Sequence, residues 1–232
     1  MIKISFSWDD GSIYDIKLAN LMLTYDIKAM FFIPTRNWEQ PYIEKKEIKE
    51  LFDMGMEIGG HTTSHNYLTA IEKENIGNEI KDNKYYLEDI IGNGIDIFCY
   101  PGGFYDENIE NIVKRYYKRA RSAKTMRFNI QDSFTVDTSL HFYNRGIKSI
   151  VKNTLQNDKK EFFTILKSFN FDTFEYYKQI ALSLDKNKDY NMHIWGHGWE
   201  IEQYNLWQKL EDFIKFLEDN DFKLISNREM YL

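Results

Sequence analysis

The sequence predicts an α/β fold built on a parallel sheet, and three observations carry that expectation. Short apolar runs alternate with longer amphipathic stretches along the whole chain, the pattern of successive βα units. Several of the longer stretches place apolar residues three and four apart, the spacing of a helix with one buried face. At 232 residues the chain is long enough to bury a full hydrophobic core as one domain, taken here to span residues 1–232.

In chain order, the first strand is Ile2 to Trp8, where apolar residues alternate with Lys and Ser. Further apolar runs predict strands at Ala29 to Ile33, Met56 to Gly59, Ile95 to Tyr100, Arg119 to Ser122, Asn191 to Trp195 and Phe222 to Ile225. Between them, helical spacing predicts helices over Ile13 to Tyr25, Ile43 to Met54, Glu72 to Ile91, Glu107 to Tyr116 and Ile201 to Asn220. The stretch from about Lys124 to Asp189 mixes polar and aromatic residues without a clean period until a helix at Phe171 to Leu184, and reads as an irregular insertion. No repeat, low-complexity tract or Pro/Gly-rich linker marks a second domain.

Composition narrows the function. Hydrophobic residues make up 43% and charged residues 28%, the balance of a globular protein rather than a disordered or membrane chain. A formal net charge of −6, with Lys and Arg interleaved among Asp and Glu, opposes binding to a phosphate backbone and argues against nucleic acid as a partner. No basic stretch followed by a long apolar run precedes the first strand, so the expectation is a cytoplasmic protein without a membrane span. The single cysteine, Cys99, excludes an internal disulfide and a thiolate cluster, so any metal must be held by His and carboxylate.

Two constellations sit where strands end, the position at which parallel α/β folds gather their ligand sites. In Phe6-Ser-Trp-Asp9-Asp10-Gly11, two adjacent carboxylates leave a strand in different directions, so one can bind a cation while the other takes a proton; a helix N-cap is the alternative. In Glu57-Ile-Gly-Gly-His61-Thr-Thr-Ser-His65, two imidazoles four residues apart fall on one side of a helical turn and suit two ligands of one ion. A structural pair of loop histidines is the alternative there.

These two motifs, followed by the turn Tyr100-Pro101-Gly102-Gly103, resemble the polysaccharide deacetylase family, also called the NodB-homology domain, carbohydrate esterase family four. The resemblance runs from Ser5 to about Glu200 and is loose over Lys124 to Asp189. It implies a distorted seven-stranded (β/α) barrel. It also implies Asp9 as catalytic base, Asp10 as the metal-binding carboxylate, and His61 with His65 as the metal-binding imidazoles. The family's third motif places Arg two residues before the proline, where it orients the base. Here that position is Cys99, and Arg121 is the candidate replacement, with an exposed arginine as the alternative. The Tyr100 to Gly103 turn offers backbone N–H groups to an oxyanion; Gly102 stands where many members have Tyr, so that contact is through backbone only.

The last motif is Asn191-Met-His193-Ile-Trp195-Gly-His197-Gly-Trp199-Glu200. The family places its catalytic acid, a histidine, near the end of a late strand. Alternation puts His193, Trp195 and His197 on one face, so direction does not choose between the histidines. A site at the carboxyl end of the barrel favours His197, with His193 as a buried support one layer deeper. Trp195 and Trp199 are expected to wall an acetyl or sugar pocket, with core packing as the alternative, and His141, outside any motif, is expected to be structural. The implied chemistry is removal of an acetyl group from an N-acetylated sugar or glycan. It uses one divalent metal, Zn2+ or, with these hard ligands, Co2+, Ni2+, Mn2+ or Fe2+. Hydrolysis of a non-sugar amide or cyclic imide on the same scaffold, and glycan binding without catalysis, remain open at this point.

Overall fold

The computed structural model describes residues 1–36, 41–129, 131–144, 146, 149, 152, 172–185 and 187–232. Among the described residues nine strands form one sheet: β1 (Ile2–Asp9), β2 (Met30–Ile33), β3 (Glu57–Gly60), β4 (Ile97–Cys99), β5 (Arg119–Arg121), β6 (Thr135–Val136), β7 (Leu140–His141), β8 (Tyr190–His197) and β9 (Lys223–Leu224). Their order is β6-β5-β4-β3-β2-β1-β8-β7, with β9 beside the start of β1, and all paired strands are parallel. The sheet curls into an open barrel, as the resemblance implies, but with nine strands instead of seven. The two additional ones, β6 and β7, are two residues each, too short to show a period in sequence.

The helices are α1 (Asp15–Thr24), α2 (Lys45–Asp53), α3 (Lys73–Ile91), α4 (Glu107–Val113), α5 (Thr173–Ser183), α6 (Gly198–Gln203), α7 (Trp207–Asp219) and α8 (Asn227–Tyr231). The helix expected over Ile201 to Asn220 is therefore two helices. Asn205 sits between them at φ 50°, a left-handed turn that Asn tolerates and that no helix can pass through. α5 starts where Asp172 accepts hydrogen bonds from the N–H groups of Phe174 and Glu175, an N-cap; Phe171, at the start of the expected helix, lies outside the described residues. β6, β7 and α5 give the expected insertion regular structure at both ends, while its middle, 153–171, lies outside the described residues.

Strand alternation divides the core in two. Phe31 and Ile33 of β2, with Ile4, Phe6 and Trp8 of β1, join the large cluster between sheet and helices. Met30 and Phe32 point the other way and pack with Ile97, Cys99, Val136 and Tyr231 inside the barrel. The interior also takes polar groups: Ser5, Ser7, Asp9, Arg121 and His193 are all buried. The amino end of the barrel meets α8, whose Asn227 side chain donates to the Phe6 carbonyl at 2.7 Å. The carboxyl end carries the site.

Candidate active site

β1 delivers two carboxylates in succession. Asp9 ends the strand level with Phe32 on β2 and His197 on β8. The chain then turns through Asp10 (φ 80°) and Gly11 (φ 64°), left-handed conformations that aim Asp10 away from its neighbour. Gly11 is required there, because a Cβ would lie 2.8 Å from the Tyr42 ring.

His61 and His65 follow β3. The Asp10 Oδ1 atom is 3.4 Å from His61 Nε2 and 2.9 Å from His65 Nε2. The loop is not the helical turn that four-residue spacing suggested. Thr62 (φ 66°) and His65 (φ 58°) are both left-handed, and these two reversals bring the imidazoles together. Such conformations are costly for a β-branched residue and persist where surroundings fix them. Here Thr62 Oγ1 accepts from the His65 N–H at 3.1 Å, and Glu79 of α3 accepts from the Ser64 N–H at 2.9 Å and hydroxyl at 2.8 Å. Asn83 of α3, fully buried, accepts from the His61 N–H at 2.9 Å and donates to the Ile33 carbonyl at 3.0 Å.

One ligand atom from each of Asp10, His61 and His65 fits within 4.8 Å of the others, with Asp10 and His61 buried and His65 partly open to solvent. The His61 Nδ1 donates to the Cys99 carbonyl at 2.8 Å, which fixes the proton on that nitrogen and leaves the Nε2 lone pair facing Asp10. Two imidazoles and one carboxylate are the donor set of a hydrolytic metal site with open positions, so these residues fit a divalent ion. Burial alone would raise the Asp10 carboxyl, but the His197 charge and the hydrogen bonds of His61 and His65 hold it well below the usual carboxylate range.

Beside this corner, Arg121 Nη2 hydrogen-bonds both carboxylate oxygens of Asp9. Arg121 is fully buried, its guanidinium carbon 5.0 Å from the Phe32 ring and 4.9 Å from the Trp195 ring. Burial would lower its pKa, but the Asp9 carboxylate raises it. Cys99 lies opposite Arg121 on the neighbouring strand, with Sγ 3.7 Å from Asp9 Oδ2. On the other side, His197 Nε2 is 3.7 Å from Asp10 Oδ2, and its Nδ1 is 2.6 Å from Glu200 Oε2. The same Glu200 oxygen is 2.7 Å from His141 Nε2. Burial disfavours the charged His197 imidazole, yet the Asp10 carboxylate and Glu200 push its pKa up to about 9. Against its own burial, the hydrogen bonds from His141 and His197 bring Glu200 down to about 2.

Residues 2–120 match the family model of polysaccharide deacetylases. The chain belongs to the polysaccharide deacetylase family. Members are hydrolases of the amide bond in N-acetyl sugars and use a divalent metal. Over 164 residues the chain is 30% identical to a peptidoglycan-N-acetylglucosamine deacetylase of Bacillus cereus, covering 67% of this chain and 68% of that protein. A chitin deacetylase from Colletotrichum lindemuthianum shares the fold at a TM-score of 0.64 and 17% identity, over 99% of this chain and 87% of that one. A family 4 acetyl xylan esterase from Clostridium thermocellum, in complex with a cobalt ion, does so at 0.63 and 14%, over 98% and 89%.

The remaining residues of this polysaccharide deacetylase divide clearly. His193 lies a layer deeper than His197, with Nδ1 2.8 Å from Ser5 Oγ and Nε2 2.9 Å from Ser7 Oγ. Trp199 is at the site: its indole N–H donates to Asp10 Oδ2 at 3.1 Å. Trp195 is buried and stacks on His141 with ring centroids 4.0 Å apart, so it packs behind the site and not on an open wall. The Tyr100 ring is not brought to the site; it is fully buried, its hydroxyl 3.2 Å from Thr135 Oγ1. Pro101 is buried as well. In the turn, the Tyr100 N–H donates to the Arg121 carbonyl and that of Gly103 to the Tyr100 carbonyl, while Pro101 has no N–H, so the remaining N–H of the turn belongs to Gly102. Sequence reasoning missed Glu200 and assigned His141 no part beyond packing. The one available signal was Glu200 three residues after His197, the spacing of a first helical turn.

Proposed function

We propose that this chain removes the acetyl group from an N-acetylated amino sugar, with Asp10, His61 and His65 holding Zn2+. The observation that carries this reading is the meeting of that donor set with Asp9, gripped by Arg121, and His197, held by Glu200, at the carboxyl end of the barrel. The bound ion supplies Lewis acidity, making water a better nucleophile and polarising the acetyl carbonyl. Asp9 takes the proton of the attacking water, and Arg121 fixes the direction of its oxygens. The Gly102 N–H meets charge that develops on the carbonyl oxygen. His197 gives its proton to the sugar nitrogen as the C–N bond breaks, and Glu200 keeps that proton available by stabilising the imidazolium. Acetate and a free amino sugar result.

The test is acetate release from N-acetylglucosamine oligomers and nucleotide-linked N-acetyl sugars, comparing metal-stripped with Zn2+- or Co2+-reloaded protein. Release should require metal. Asp9→Asn should keep one ion per chain and lose turnover, whereas Asp10→Ala and His61→Ala should lose the ion. Release by stripped protein, or full metal content in those last two variants, would overturn the assignment.

A further inference from the structure

The chain has five histidines, and four of them stand in two groups at the carboxyl end of the barrel. His61 and His65 belong to the Asp10 corner, and His193 meets Ser5 and Ser7 a layer below. The other two, His141 at the end of β7 and His197 at the end of β8, converge on one oxygen. Glu200 Oε2 is 2.7 Å from His141 Nε2 and 2.6 Å from His197 Nδ1. One ligand atom from each of these three residues lies within 4.8 Å of the others, as in the Asp10 corner.

The group is rigidly placed. The His141 ring stacks on Trp195 with centroids 4.0 Å apart and 8° between the planes, and its backbone carbonyl accepts from the Tyr177 hydroxyl at 2.9 Å. The His141 and His197 rings stand at 82° to each other with centroids 5.3 Å apart, so their nitrogens approach one point without the rings colliding. His141 and Glu200 are buried, whereas the His197 side chain is 15% exposed, which gives an ion a way in from the substrate side. Two imidazoles and one carboxylate are a zinc donor set, the same one that the corner offers. Zn2+ with bonds of about 2.0–2.1 Å needs ligand atoms about 3.3 Å apart, so Glu200 has to draw back by less than about 1 Å.

We propose that His141, His197 and Glu200 form a second, inhibitory site for Zn2+. This rests on the reading of His197 as the acid of the deacetylation. Binding joins the ion to His141 Nε2, His197 Nδ1 and a Glu200 oxygen and releases the Nδ1 proton of His197 to water, while His141 keeps its proton on Nδ1. The His197 ring then holds a single proton, whose loss would leave an imidazolate, and Glu200 no longer supports an imidazolium. The acid is lost although the corner stays loaded. The corner fills first, because His61 already turns a lone pair into it whereas the second site must shed a proton.

The test titrates Zn2+ into the chain carrying one ion, following bound metal by equilibrium dialysis and acetate release from N-acetylglucosamine oligomers. A second ion should bind, and kcat should fall at least tenfold as it does, with KM unchanged. His141→Gln keeps an N–H for Glu200 and offers no imidazole. It should hold one ion, and its rate at large Zn2+ excess should match its rate at one equivalent. Without any variant, Co2+ added to the one-zinc chain should show two imidazole ligands on cobalt by X-ray absorption. Uptake of only one ion, a cobalt held by oxygen alone, or inhibition that persists in a folded His141→Gln chain would overturn the site. A second ion held by two imidazoles with kcat unchanged overturns the inhibition and His197 as the acid, and leaves the metal corner intact. Two-imidazole cobalt with no acetate released at any metal content leaves the second site standing and overturns the deacetylase reading instead.

Discussion

In the proposed reaction Asp9 takes a proton from water and must present a fixed oxygen, and the cation that fixes it comes from the strand beside the one that carries Cys99. Arg121 and Cys99 face each other across β4 and β5, so the guanidinium has moved one strand sideways relative to the family pattern and still reaches both Asp9 oxygens. Arg121→Lys keeps the charge and loses the two-oxygen grip. We expect it to retain metal while kcat falls by roughly 10–100-fold, the usual cost of losing such an orienting partner. Arg121→Ala leaves Asp9 buried without a counter-charge and should cost about 3–5 kcal/mol in urea unfolding. The double exchange Cys99→Arg with Arg121→Cys returns the cation to the neighbouring strand and should recover part of the lost turnover; no recovery in a folded, metal-loaded chain would mean that Arg121 does more than orient Asp9. Arg121 was legible as a candidate because the vacant position at Cys99 demanded one. Glu200 and His141 were not, since their shared oxygen contact joins β7 to α6 across 59 residues and leaves no local pattern.

At the scale of elements, the His61–His65 loop is held by a helix that contributes no residue to the proposed metal site. α3 lies behind His61 to His65, and its Asn83 spans the gap between β2 and the loop, while Glu79 fixes Ser64. Four-residue spacing predicted that the two histidines meet, and their ring centroids are 4.9 Å apart, but it misjudged how they meet, because a left-handed Thr62 is fixed by tertiary partners and not by its own propensity. Asn83→Ala leaves the His61 N–H and the Ile33 carbonyl without their buried partner. An unpaired buried group costs about 1–3 kcal/mol, so a drop of that size is expected in chemical denaturation. Because His61 loses its backbone anchor, zinc affinity in chelator competition should also weaken by about tenfold. Unchanged affinity alongside the stability loss would show that Asn83 supports the fold alone.

For the molecule as a whole, the alternation of short strands and amphipathic helices was enough to read the βα order, because period and length survive in the sequence. The content of the barrel survived only in part: His193 was legible as a buried support, but its serine partners were not. A purely apolar interior is the simplest expectation, yet this one carries a layer of Ser5, Ser7 and His193 beneath the Asp9–Arg121 pair. Both imidazole nitrogens of His193 meet serine hydroxyls, so the ring's hydrogen bonds are made without placing a charge in the buried layer. Burial pushes the His193 pKa well below its ordinary value, and the Arg121 charge pushes it the same way. Unfolded, the ring titrates near pH 6.5. Above that pH neither state holds the proton and His193 makes no pH-dependent contribution. Below it the unfolded chain binds a proton that the folded chain refuses, so stability falls as pH falls, by up to about 1.4 kcal/mol per pH unit until the folded pKa is reached. His193→Gln keeps hydrogen-bonding capacity and cannot titrate. The stability of the wild-type chain relative to this variant should therefore be constant above pH 7 and decline between pH 6.5 and 5, a difference in which metal release common to both chains cancels. A difference that stays flat over that window would mean the folded protein admits the proton, and that the polar layer is open to water.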